Sequence, residues 1–211
     1  MTIFYIDTSS KYLYTGIVRD DNLLSEKKVC LDKDLSIYTV DVVSKMFDEV
    51  NIKPRDIDKI IVVNGPGSFT GIRIGVTLAK IFAWSLKKDI TVISSLEAMA
   101  KSVKTNKLIV PIINARREAC YAAIYDGNNI IKDEEYLKIE KLMLILMGLG
   151  KEYVFVSNDK FSFATEKYDP DILNIVNSFK DKESINPHLV NPNYLKLTEA
   201  EENKMKEDNN D

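Results

Sequence analysis

The sequence predicts an α/β protein in which one structural pattern is used twice. Three observations carry that expectation. Short apolar, β-branched runs alternate with amphipathic stretches, as buried strands alternate with helices. The order three strands, helix, strand, helix starts again after residue 107. The 211 residues, 45% hydrophobic and 29% charged, are enough for one larger or two small cores of ordinary globular composition. The expected division is a first subdomain at residues 1–106, a smaller second one at 107–198 and a polar, flexible tail at 199–211.

In the first copy, Ile3-Phe4-Tyr5-Ile6 reads as a buried strand, Asp7-Thr8-Ser9-Ser10 as a turn and residues 12–18 as the returning strand. A third strand falls between residues 23 and 31. Residues 34–50 place Leu35, Val42, Val43, Met46, Phe47 and Val50 at helical spacing, and Pro54 closes that connection. Ile60-Ile61-Val62-Val63 is the next strand. Residues 91–93 form a short one, and Ser94 with Glu97 three residues later is a capping box opening a helix to about residue 103. The second copy runs through strands at 108–113, 120–125 and 130–137, with Asp126-Gly127-Asn128-Asn129 as a hairpin turn. A helix at 139–147 ends at Gly148 and Gly150, and a strand at 153–156 and a helix at 171–179 follow. This copy is shorter and lacks a clean second helix.

Four of the eight glycines lie in Gly65-Pro66-Gly67-Ser68-Phe69-Thr70-Gly71-Ile72-Arg73-Ile74-Gly75, between the 60–63 strand and a helix reaching about residue 86. Strand, glycine loop and helix is the layout of many phosphate sites. The spacing nevertheless fits neither standard template. A Walker loop needs Lys after its last glycine, where Ile72 stands, and Gly65, Gly67 and Gly71 are one residue too long for a dinucleotide fingerprint. The helix carries Gly71, Gly75, Ala79 and Ala83 every four residues, a ridge almost without side chains. Such a ridge admits a close neighbour. That neighbour is either an element of the same subdomain or a helix of a partner. The expectation adopted is a partner interface at Gly71, Arg73, Gly75, Val76, Ala79 and Ala83, with an interface loop at Gly65, Pro66, Gly67, Ser68 and Phe69. Asp7, Thr8 and Ser9 are the candidate cofactor-binding residues, since an Asp at a strand end beside hydroxyls can orient a hydrated cation or a phosphate. The competing reading is an Asx turn capping its own backbone.

A formal charge of −3 supplies no basic field for nucleic acid, so contact with RNA is expected only through a partner. Cys30 and Cys120 read as buried, reduced thiols. No leader is expected ahead of the first strand, and no apolar run reaches the length of a membrane span, so a cytoplasmic location is expected. Catalytic sets are thin. His188 is the lone histidine, no zinc-binding spacing occurs and the cysteines lack CxxC spacing. No catalytic residue and no metal ligand is therefore assigned, and the metalloprotease reading fails.

Together the glycine motif, Ile6-Asp7-Thr8-Ser9, Ser94-Ser95-Leu96-Glu97-Ala98, Ala115-Arg116-Arg117-Glu118 with Tyr121, and Pro192-Asn193-Tyr194-Leu195-Lys196 resemble the TsaB (YeaZ) family over nearly the whole chain. The resemblance implies a duplicated actin-like, sugar-kinase-like (ASKHA) fold of two subdomains, each with a mixed sheet and flanking helices. It implies a non-catalytic subunit of the complex that places threonylcarbamoyl on the adenosine beside the tRNA anticodon. The implied partners are a second copy through the N-terminal helices, a TsaD-type catalytic subunit carrying the metal, and a TsaE-type ATPase, with tRNA reached only indirectly. No cofactor is expected to be tightly bound, although ATP or ADP at a partner interface is an option. Three departures weaken the second half as a nucleotide site or depart from the family pattern. Asn114 replaces the usual Asp, Ser157-Asn158-Asp159 lacks the usual glycine, and Leu35-Ser36 stands at the usual His-Ser helix start. The alternative is an actin-like kinase that binds ATP between its halves.

Overall fold

The computed structural model describes residues 1–195. Both halves contain a five-stranded mixed sheet. In the first, β1 (Thr2–Asp7), β2 (Tyr12–Arg19) and β3 (Asn22–Cys30) are antiparallel neighbours, and β4 (Lys59–Val63) and β5 (Asp89–Ile93) run parallel to β1, giving the order β3-β2-β1-β4-β5. In the second, β6 (Leu108–Asn114), β7 (Ala119–Asp126), β8 (Asn129–Lys138), β9 (Tyr153–Ser157) and β10 (Glu166–Lys167) give β8-β7-β6-β9-β10. The alternation of antiparallel and parallel pairs is the same in both. The repeat inferred from element order is therefore present as topology.

Hydrophobic alternation explains the layers. Along β1, Ile3 and Tyr5 face one side and Phe4 and Ile6 the other, and all four are buried. On the outer side, α1 (Leu35–Glu49) and α2 (Phe69–Leu86) cover the sheet with Met46, Phe47, Ile72 and Val76. α2 is apolar and long enough by composition to cross a membrane, but one face of it is buried on this sheet. On the inner side a single core joins the two halves: Tyr5, Tyr14 and Ile93 of the first pack with Ile109, Tyr125 and Val156 of the second. A third cluster lies under α4 (Ile139–Leu149), where Leu142 and Leu146 meet Leu108, Val110 and Phe155.

The copies differ where the sequence thinned out. No helix separates β9 from β10, and β10 has only two residues. Its backbone pairing is held by β9 rather than by a run of apolar residues, so no periodic signal marks it. α5 (Ile172–Phe179) then packs on β1, β2, β3 and α3 (Ser95–Lys101). Residues 172–195, grouped in sequence with the second half, thus run back over the first half. Lys59 anchors their return, with Nζ donating to Lys180 O (2.8 Å) and Lys182 O (2.6 Å). Cys30 departs from expectation. It ends an edge strand and is exposed, whereas Cys120 is buried and its thiol is pushed up to about 12 by that burial.

Candidate functional site

The glycine loop is shaped by what presses against it. Gly65 and Gly67 have φ of +113° and +155°, in or near the region only glycine adopts easily. The Asn193 carbonyl occupies the place of a Gly65 side chain, and the Ser9 carbonyl that of Gly67. Ser9 O also accepts from Ser68 N–H (2.7 Å), and Pro66 O accepts from Ser95 Oγ (2.5 Å). Of the loop residues expected at an interface, Gly65 and Pro66 are buried and Gly67 half-buried, while Ser68 and Phe69 reach the surface. Ser68 caps α2 by accepting from Gly71 N–H (3.2 Å), so two of the amides a phosphate would seek are occupied.

The small-residue ridge faces the chain's own core. Gly71, Gly75, Ala79 and Ala83 are buried, as is Val76, and the ridge lies on the turn after β1. Thr8 Oγ1 donates to Gly71 O (2.7 Å), and a Cβ on Gly71 or Gly75 would come closer than 3.0 Å to Thr8. The absent side chains let a helix approach a strand end of its own sheet. This corrects the interface expected at Gly71, Gly75, Val76, Ala79 and Ala83, and only Arg73 of that set is exposed. At 3.6 residues per turn, Thr70, Arg73, Thr77, Ile81 and Trp84 lie on the opposite side of α2. Every one is exposed, with Ile81 at 52% and Trp84 at 65%. α1 lies beside α2 and adds exposed Ile37 and Val40. The C-terminal part of this outward stripe, Ile81 and Trp84, is apolar where a surface helix is normally polar. Its signal in the sequence is the chain's single Trp at helical spacing from Ile81 and Thr77, a pattern overshadowed by the ridge.

Asp7, Thr8 and Ser9 are brought together with the loop but are mostly committed to it. Thr8 is fully buried, and Asp7 Oδ1 accepts from Ser9 N–H (2.7 Å), which is the Asx turn. Asp7 is 2% exposed, and burial raises its carboxyl from 3.8 to about 6 against the pull of the Ser9 hydrogen bonds. Asp7 and Ser9 line a cleft of about 510 Å³ between the sheets. Across it stand Asn114, Arg116 and Asp159. Asp159 is tied back to Asn114 N–H (2.8 Å), and Asn158 Nδ2 donates to Tyr14 Oη (2.8 Å) at the joint of the halves. Among the described residues, the cleft therefore has one buried carboxylate and no pair of glycine-lined phosphate turns. Its walls share a continuous core, which opposes the hinge closure of a kinase. Among the described residues, no three His, Cys, Asp or Glu side chains come together to hold a metal. His188 is exposed in a short 3-10 turn, Pro187–Leu189, its ring near Trp84.

Comparison with known proteins adds the following. A family model described as TsaD, tRNA N6-adenosine threonylcarbamoyltransferase, matches residues 32–203. The Bacillus subtilis (strain 168) protein named tRNA threonylcarbamoyladenosine biosynthesis protein TsaB is 34% identical, covering 95% of this chain and 96% of the relative. The Escherichia coli (strain K12) protein of the same name is 27% identical, covering 74% of this chain and 71% of its own length. Among solved structures, YeaZ from Pseudomonas aeruginosa superposes with a TM-score of 0.74 at 16% identity, covering 92% of this chain and all (100%) of its own. A second Pseudomonas aeruginosa structure, described as an uncharacterized protein with similarity to peptidase YEAZ, reaches 0.79 at 17% identity, covering 92% and 99%.

Proposed function

The chain belongs to the TsaB branch of the TsaD-type family, and from that premise we propose that it is the non-catalytic subunit of a tRNA threonylcarbamoyladenosine-modifying complex, docked on a TsaD-type catalytic subunit. The observation that carries the reading is the apolar outward stripe of α2, Ile81 and Trp84, continued by Ile37 and Val40 of α1. A solvent-facing helix pair of this composition gains by burial against another pair. The partner kind is itself described by the family model that matches this chain, so it is expected to present a related helix pair. The committed hydroxyl of Thr8, the closed loop and the joined cores support a scaffold rather than a kinase.

The same reading extends to several finer points. The fold is a duplicated actin-like, sugar-kinase-like (ASKHA) one, divided near residue 107, with residues 172–195 returning to the first half. The helix pair also serves a homodimer in the absence of the TsaD-type subunit. A TsaE-type ATPase joins the complex, tRNA is contacted through the catalytic subunit, and any ATP or ADP sits at a joint between subunits. The chain works in the cytoplasm.

The test is association with the TsaD-type subunit of the same organism. Trp84→Ser removes the largest exposed ring of the stripe and should weaken binding by at least about tenfold, the loss expected of a buried aromatic anchor. Its folding should be untouched. A folded Trp84→Ser protein that binds with wild-type affinity would contradict the docking reading.

A further inference from the structure

We propose that the C-terminal strap, residues 185–195, is the third element of the docking surface for the TsaD-type subunit, and that Glu134 of the second sheet is the residue that positions it. The inference rests on the docking reading above.

The strap runs antiparallel to α2 along its whole length. It starts beside β5, where Ile185 N–H donates to Ile90 O (2.9 Å). His188 then lies with its ring near Trp84 (6.4 Å), and Lys80 Nζ donates to Val190 O (2.8 Å). Asn64 Nδ2 donates to Asn191 O (3.0 Å), and Asn193 N–H donates to Asn64 O (2.7 Å). At the helix N-terminus, Tyr194 stacks on Phe69 (4.6 Å between ring centres) and its Oη accepts from Arg73 Nε (2.8 Å). The Arg73 guanidinium in turn lies 3.9 Å over the Phe69 ring.

Two features make this strap part of a surface rather than a cover. It leaves the outward stripe open and adds to it: Leu189 is 69% exposed next to the Trp84–His188 contact, and Phe69 remains 44% exposed beside Tyr194. It is also held rigidly from below, with Val190 fully buried and the Asn193 carbonyl seated where Gly65 lacks a side chain. The docking face is therefore bordered by α1 on one side of α2 and by the strap on the other, and it is ordered before the partner arrives. Any substitution at Gly65 would displace the strap, which gives the glycine motif a role in recognition that requires no phosphate.

Glu134 ties this face to the other half of the molecule. It lies on β8, and one carboxylate oxygen accepts from Asn193 Nδ2 (3.1 Å) while the other accepts from Ser94 Oγ at the cap of α3. One side chain thus spans both halves and fixes the residue before Tyr194. Glu134 does not itself belong to the outward stripe, so it acts through Asn193 and is a positioning residue.

The experiment measures affinity of the full-length chain for the TsaD-type subunit by titration calorimetry, with gel filtration of the chain alone. Leu189→Ser should weaken binding by about tenfold without affecting folding, since the side chain is mostly in solvent, and Tyr194→Ala should do the same. Glu134→Ala should weaken binding about fivefold, and Glu134→Gln, whose amide oxygen still accepts, should stay within about twofold of wild type. Wild-type affinity in Leu189→Ser and Tyr194→Ala, together with loss in Trp84→Ser, would overturn the strap while leaving the docking reading intact. Equal loss in Glu134→Ala and Glu134→Gln would overturn the positioning role. Altered self-association with unchanged TsaD-type binding would overturn the choice of occupant. Failure of the wild-type chain to bind would remove the docking reading and this inference with it.

Discussion

Gly75→Ala separates an inward ridge from an outward one. The added Cβ would lie closer than 3.0 Å to Thr8 Oγ1, while Thr8 Cβ and Cγ2, at 3.6 Å and 3.8 Å, are in ordinary contact. The clash is therefore with one oxygen, and that oxygen is engaged: Thr8 is fully buried and donates to Gly71 O at 2.7 Å. Relief requires Thr8 to move and lose this bond. A lost buried hydrogen bond costs about 1–3 kcal/mol, and overpacking adds about 1–3 kcal/mol. The gain in helix propensity from Gly to Ala returns about 1 kcal/mol. The expected net destabilisation is about 3 kcal/mol, read as a lower midpoint in urea unfolding. Thr8→Ala removes the obstructing oxygen and leaves only the 3.6 Å contact. In a double-mutant cycle, Gly75→Ala should therefore cost markedly less in a Thr8→Ala background, with a coupling of about 1–3 kcal/mol. A Gly75→Ala protein as stable as wild type, or strictly additive effects in the cycle, would refute the inward packing. Weaker association without loss of stability would restore the ridge as a partner face.

Asp7 should make stability fall as pH rises. Its folded carboxyl titrates at about 6 rather than 3.8, so between these values the folded state binds more protons than the unfolded one. The Asp7 contribution to stability is then most favourable below about pH 4 and declines through about pH 6, by about 3 kcal/mol for the full shift. Asp7→Asn, whose amide oxygen can still accept from Ser9 N–H, should flatten that decline, and urea unfolding of both proteins at pH 4.5 and pH 7 (about neutral) checks it. An identical pH slope in both would exclude Asp7 as its source. Lys59→Met should strand the Lys180 carbonyl that Nζ now satisfies and leave Lys182 O only the longer bond from Thr91 Oγ1 (3.3 Å). A loss of about 2–3 kcal/mol is expected, with faster proteolysis of the segment after α5, and unchanged protection of that segment would show that the anchor is dispensable.

The element order was legible because its signals are local. The apolar run at 60–63, the Ser94–Glu97 capping box and the turn at 126–129 each act over a few residues, and β4, α3 and the β7–β8 hairpin form where these signals fall. β10 escaped because two residues paired to β9 leave no pattern. The exposed stripe of α2 was written in the sequence as Ile81 and Trp84, yet an exposed and a buried apolar stripe look alike until a neighbour is placed. Glu134 carried no signal at all, since its partners Ser94 and Asn193 lie 40 and 59 residues away.

By itself the sequence determined that this chain repeats one α/β pattern, opens α2 with a glycine loop and lays small residues along one face of that helix. Periodicity sets which residues share a face, because helix geometry is local. Only the tertiary structure decided what that face meets. The answer hangs on Thr8, 63 residues from Gly71, whose hydroxyl fills the space the ridge leaves open. Once the ridge was spent on the chain's own sheet, the side of α2 with Ile81 and Trp84 was turned to solvent. The outward face follows from long-range packing that no local pattern can specify.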